Sequence, residues 1–110
     1  MSKPWIGVDL DGTLAEYTSW QGIEYIGEPI KPMIDRIHGW LADGLEVKIF
    51  TARVSVDEPN IVRHIEDWCV KHIGFALPIT CRKDFAMVQL WDDRCVQVIK
   101  NTGQPVVPKE

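Results

Sequence analysis

Along the chain, the spacing of apolar and polar positions changes at recognisable points. Trp5-Ile6-Gly7-Val8 is apolar on consecutive positions and breaks off at Asp9-Leu10-Asp11-Gly12, so it reads as a short buried strand bounded by a turn. Residues 15–28 show no helical period; Tyr17, Trp20 and Tyr25 stand there among Gly22, Gly27 and β-branched neighbours, which predicts a loop or short hairpin flap. Met33, Ile34, Ile37, Trp40 and Leu41 then form one helical stripe, with Pro32 suited to a first turn and Gly44 to a left-handed stop. Val47-Lys48-Ile49-Phe50 returns to strand character and runs into Thr51-Ala52-Arg53. Pro59 opens a second helix whose inner face is Ile61, Ile65, Trp68, Cys69, His72 and Ile73, and Gly74 ends it. Pro78-Ile79-Thr80 predicts a short third strand, followed by the cationic pair Arg82-Lys83. Val88-Gln89-Leu90-Trp91 predicts a fourth, ending at Asp92-Asp93. Val96-Gln97-Val98-Ile99 is at most a fifth strand, and the Pro-rich tail carries no assignment.

Strands that alternate with amphipathic helices imply an α/β fold with a parallel sheet and right-handed crossovers. Ligands of such sheets bind beyond the carboxyl ends of the strands. Those ends carry Asp9 and Asp11 after the first strand and Thr51 and Arg53 after the second. Arg82 and Lys83 follow the third, and Asp92 and Asp93 the fourth. Taken alone, Asp11-Gly12-Thr13 is compatible with a simple turn and helix cap. A calcium loop is excluded, because the glycine comes too early and the twelfth residue from Asp9 is Trp20 rather than Glu. Polar, chemically capable residues at the end of each of the first four strands decide against the turn-and-cap reading.

Composition narrows the picture without changing it. With 110 residues, 45% of them hydrophobic, the chain makes one domain spanning 1–110, and no repeat or low-complexity tract interrupts it. The net charge of −4 and the lack of any Lys/Arg run argue against a general nucleic-acid coat, yet leave a nucleotide or a nucleic-acid end open as substrate. Cys69, Cys81 and Cys95 show neither disulfide-framework nor zinc spacing, and His38, His64 and His72 read as surface or packing residues. With no signal peptide and no apolar run long enough for a membrane span, a soluble, cytoplasmic protein is expected.

Several carboxylates in one pocket repel: two like charges at about 4 Å cost roughly 4 kcal/mol at an effective dielectric near 20. A divalent cation removes that conflict, and an all-oxygen ligand set points to Mg²⁺. Thr51 and Lys83 are then a hydroxyl donor and a point charge suited to a phosphoryl group. A metal, a cation and a hydroxyl around a nucleophilic carboxylate describe phosphoryl transfer.

The set Asp9-Leu10-Asp11-Gly12-Thr13-Leu14, Thr51, Lys83 and Asp92-Asp93, each after an apolar strand or in order between them, resembles the four motifs of the haloacid dehalogenase superfamily. The resemblance spans Trp5 to about Ile99. It implies a Rossmann-like, three-layer fold with a mainly parallel central sheet, and Mg²⁺-dependent phosphatase chemistry through an aspartyl-phosphate. By position, Asp9 resembles the nucleophile and Asp11 the general acid and base, while Thr51 and Lys83 would bind the transferring phosphoryl group. Asp92 would complete the metal site with Asp9 and the main-chain carbonyl of Asp11; Asp93 would bind metal through water or orient Lys83. Family members usually carry a cap domain, and here only residues 15–28 are free for one, so the chain resembles a capless member. An open site suits a bulky phosphate, or a subunit neighbour acting as lid in a homo-oligomer. Arg53 is expected to clamp further phosphates, whereas Arg82 and Arg94 are more simply paired with nearby carboxylates. Trp20 either packs on the domain or stacks on a substrate base. The expected substrate is a nucleotide, sugar phosphate or other small phosphomonoester; the alternatives are an end-processing phosphatase on nucleic acid and a catalytically idle phosphate- or Mg²⁺-binding module.

Overall fold

The computed structural model describes residues 3–107. Four strands form one all-parallel sheet: β1 (Trp5–Asp9), β2 (Glu46–Phe50), β3 (Ile79–Thr80) and β4 (Met87–Trp91), in the spatial order β3-β2-β1-β4. Two helices connect the first three strands, α1 (Lys31–Ala42) and α2 (Pro59–His72), each with a proline in its first turn. Gly44 and Gly74, with φ of 81° and 115°, turn the chain out of the two helices in the conformation glycine adopts without strain.

Both steps, β1 to β2 and β2 to β3, move in the same direction across the sheet, so right-handed crossovers put both helices on one face. The core forms there. Ile6 and Val8 of β1 and Val47 and Ile49 of β2 meet Met33, Ile34 and Ile37 of α1 and Ile61, Ile65, Trp68 and Cys69 of α2. Period-2 alternation explains the set, since each strand sends every second side chain to the helices. Trp40 tilts against Trp91 at 5.2 Å between ring centroids and closes the β4 side of this layer.

The opposite face is different from expectation. Three layers were anticipated, but among the described residues no helix covers that face. The chain must cross from β3 to β4, over β2 and β1, within residues 81–86. At about 1.5 Å per residue a helix of that length cannot span the gap, whereas extended chain at about 3.3 Å per residue can. The connection is tied down at Trp5, whose indole donates to Asp84 Oδ1 at 2.9 Å and whose amide donates to Ala86 O at 2.9 Å. Asp84 is held below the usual carboxylate range, chiefly by that indole bond. The Lys48 ammonium lies over the same Trp5 ring, 4.5 Å from its centroid.

Residues 97–106 form a small turn of their own. Ile99 N donates to Gln104 O and Val106 N to Gln97 O, with a single bridge between Val98 and Pro105. The fifth strand is therefore not part of the sheet. None of the helices among the described residues is long and apolar enough to cross a membrane.

Candidate functional site

In this strand order the chain leaves β1 toward β2 on one side and reaches β4 on the other. The crevice between the carboxyl ends of β1 and β4 is thus the topological switch point, where open α/β sheets bind ligands. Asp9 ends β1, and Asp92 and Asp93 follow β4 directly, so the pairing of Val8 with Trp91 delivers three carboxylates to that crevice. One oxygen from each of Asp9, Asp92 and Asp93 lies within 4.8 Å of the others. Burial and the neighbouring charges of Asp92 and Asp93 push Asp9 up to about 7 from an ordinary 3.8.

Thr13 locks the cluster together. Its hydroxyl accepts from Asp93 N at 3.0 Å and lies 3.2 Å from Asp93 Oδ1 and 3.5 Å from Asp9 Oδ2. The turn that places it needs Gly12, whose φ is 93° and whose absent Cβ would stand 2.6 Å from Asp93 Oδ2. Thr13 belongs to the first motif but was assigned no role in the sequence, because its partner Asp93 lies 80 residues away. Asp92 is oriented separately, its Oδ1 accepting from Arg94 N at 2.8 Å.

Thr51 is almost fully buried at the end of β2. Its oxygen accepts from Arg53 N at 3.2 Å, capping the short 3₁₀ turn Ala52–Ser55 and leaving the hydroxyl proton for another acceptor.

Asp11 is the residue whose surroundings depart most from expectation. Its side chain is not in the acidic cluster; Arg53 takes both of its oxygens, Nε to Oδ2 at 2.8 Å and Nη2 to Oδ1 at 2.9 Å. Arg53 also donates to Tyr25 O at 2.9 Å and Ile23 O at 3.4 Å, and its guanidinium lies 4.8 Å from the Trp20 ring centroid. Four of the five N–H groups of a guanidinium are thereby engaged. The clamp expected of Arg53 is therefore not the arrangement found: it has little capacity left for a phosphate while it holds Asp11 and the flap.

The flap itself is an ordered loop closed at its base. Glu16 N donates to Glu28 O and Ile30 N to Leu14 O, both at 2.8 Å, and the indole of Trp68 holds Gly27 O at 3.0 Å. Gly27 is obligatory there, since a Cβ would sit 2.0 Å from Glu16 O. Trp20, 55% exposed, rests one face on Arg53 and still lines the cleft.

That cleft has a volume of about 780 Å³, within the range of small-molecule sites. Its lining includes the polar Asp9, Asp11, Thr51, Arg53, Asp92 and Asp93 together with Trp20, Tyr17, Ile23, Val56 and Ile61. On the β3 side the lining ends at Cys81; Lys83 and Arg82 are exposed and lie outside it. The structure thus brings together seven of the eight residues singled out from the sequence and leaves Lys83 apart.

Three clustered carboxylates, with Asp9 pushed up by burial and by the two beside it and with no cation paired to them among the described residues, suit a hard divalent ion with oxygen ligands. Oxygens around Mg²⁺ stand roughly 3–4 Å apart, given bonds of about 2.0–2.1 Å, so only a slight contraction of the cluster is required. No family model, no curated protein and no solved structure matches the chain.

Proposed function

We propose that the chain is a Mg²⁺-dependent phosphomonoester hydrolase of haloacid dehalogenase type, working through an aspartyl-phosphate on Asp9. The observation that carries this reading is the convergence of Asp9, Asp92 and Asp93 at the switch point of a parallel sheet, beside the buried hydroxyl of Thr51. Asp9 and Asp92 would hold the metal with the main-chain carbonyl of Asp11, and Asp93 would hold it directly or through water. Bound there, Mg²⁺ would offset the charge of the cluster and of the incoming phosphoryl group.

In this mechanism an oxygen of Asp9 attacks phosphorus, and the bond to the leaving oxygen breaks as Asp11 gives that oxygen a proton. Asp11 then takes a proton from water, which attacks the phosphorus of the acyl phosphate; phosphate departs and the Asp9 carboxylate is restored. Thr51 donates its hydroxyl to a phosphoryl oxygen, and Lys83, which lies exposed outside the cleft, would have to swing in from the β3–β4 connection to add a positive charge. The apolar side chains in the cleft lining, Trp20 and Ile61 among them, support a leaving group of nucleotide size.

The test is a hydrolysis screen with Mg²⁺ over phosphorylated metabolites and 3′- and 5′-phosphorylated oligonucleotides. The expected result is turnover that Asp9→Asn abolishes. Preference for oligonucleotide ends over free nucleotides would identify an end-processing enzyme. Phosphate binding without turnover of any substrate would identify a binding module.

A further inference from the structure

The hydrolysis proposed above leaves Arg53 without an explanation. Asp11, with both oxygens bound to a guanidinium, can neither protonate a leaving oxygen nor receive a proton from water. Their side chains are 6% and 20% exposed, so the pair is poorly screened by solvent. Opening it would strand a buried cation on two carbonyls, those of Ile23 and Tyr25, which belong to the flap. The third support, the Trp20 ring, is also on the flap. One guanidinium therefore ties the position of residues 15–28 to the freedom of Asp11.

The geometry points to Arg53 as a positioning residue that couples leaving-group binding at the flap to release of Asp11. This inference rests on the hydrolase reading and names its substrate class: phosphomonoesters whose leaving group is planar and long enough to reach Trp20, such as a nucleoside. A ring seated against Trp20 competes with the guanidinium for the indole and shifts the flap carbonyls that share it. Arg53 loosens, and a carboxylate oxygen of Asp11 becomes free to take up from solvent the proton that it then gives to the leaving oxygen. A small phosphate that stops short of Trp20 leaves the latch shut. The flap then acts on turnover as well as on binding, since the same contact that selects the leaving group frees the acid.

Coupling of this kind is reciprocal, so weakening the Asp11 end must loosen the flap even with no substrate present. Hydrogen exchange of the amides in residues 16–28 reads this directly in wild type, Asp11→Asn and Arg53→Lys. Asparagine keeps the shape of Asp11 without its charge, and lysine keeps the charge of Arg53 without its fork. Flap exchange should rise by roughly 10- to 100-fold in both variants, the scale of losing a hydrogen bond to a charged group. The amides of α2 should stay unchanged, which separates loosening from unfolding. Flap exchange equal to wild type in both variants overturns the coupling.

A kinetic arm separates the latch from mere packing. Trp20→Ala should lower kcat for a nucleoside monophosphate, and that kcat effect should vanish in an Arg53→Lys background. A change in KM alone, the same in both backgrounds, also overturns it. Coupled exchange with no phosphomonoester turned over would keep the latch and remove the hydrolase reading. Turnover without coupled exchange would do the reverse.

Discussion

Replacing Asp9 by Asn should make the metal-free protein more stable at alkaline pH, although it removes the nucleophile of the proposed mechanism. Asp9 is pushed up to about 7 by burial and by Asp92 and Asp93. Between its ordinary 3.8 and about 7, the folded protein keeps a proton on Asp9 that the unfolded chain has released. Stability from this group is therefore lost as pH rises through that window. At about 1.4 kcal/mol per pH unit the full shift corresponds to roughly 4 kcal/mol, an upper limit for a fully buried group. Asp9 is partly exposed, and solvent screening reduces the figure to about 1–2 kcal/mol. Asparagine carries no charge and can still bond Thr13 and Asp93, so it recovers this amount. With an unfolding entropy of about 2.1 cal/mol/K per residue, Tm should rise by about 4–9 °C at pH 8 without metal. At pH 4 the two proteins should melt alike. The assay is thermal melting at both pH values in chelator, repeated with Mg²⁺. The cation should stabilise wild type, by about 2.7 kcal/mol at a hundredfold excess over Kd, and much less the variant. An Asp9→Asn variant no more stable than wild type at pH 8 would falsify the account of the cluster as an uncompensated metal site.

Three further outcomes are expected. Turnover should disappear with a chelator and return with Mg²⁺, while Ca²⁺ should inhibit through its larger, looser shell; activity that survives thorough chelation, measured by phosphate release, would point to another mechanism. Lys83→Ala should lose on the order of 10²-fold in kcat and Arg82→Ala far less, although both side chains are exposed and outside the cleft lining; equal losses in steady-state assays would remove Lys83 from the phosphoryl site. Gly12→Ala should cost about 1–2 kcal/mol for the left-handed conformation alone, and because its Cβ displaces Asp93 it should also weaken Mg²⁺ binding by calorimetry; an unaltered affinity would mean that Asp93 is not part of the metal site.

The parts of this molecule legible in the sequence are those set by local pattern. Trp5 to Val8 had to be a strand because nothing else buries four consecutive apolar residues before two aspartates, and the helix stripes with their prolines and glycines left little choice of boundary. Once strands and helices alternate, handedness and the carboxyl-end rule place Asp9, Thr51 and Asp92 together with no knowledge of tertiary contacts. The misreadings lie where two distant segments meet. Thr13 and Asp93 are 80 residues apart and Arg53 and Asp11 are 42 apart, so no periodicity could have paired them. The lack, among the described residues, of a helix on the second face follows from the short β3–β4 connection, since residues 81–86 are too few for a helical crossover.

Arg53 shows the same distinction, because its partner Asp11 lies 42 residues away. By sequence it sits two residues after Thr51, which suggested a phosphate clamp, and by register it does reach the cleft. A buried guanidinium must satisfy its donors whether or not substrate is present. In this chain the acceptors within reach are Asp11 and the flap carbonyls, and they are satisfied before any phosphate arrives. A phosphate at this position would have to outcompete an ion pair with two good hydrogen bonds, so Arg53 answers first to the flap and to Asp11. On the proposed hydrolase reading, that order of affinities makes residues 15–28 part of the active machinery rather than a passive rim, because the contacts that hold the flap also hold Asp11.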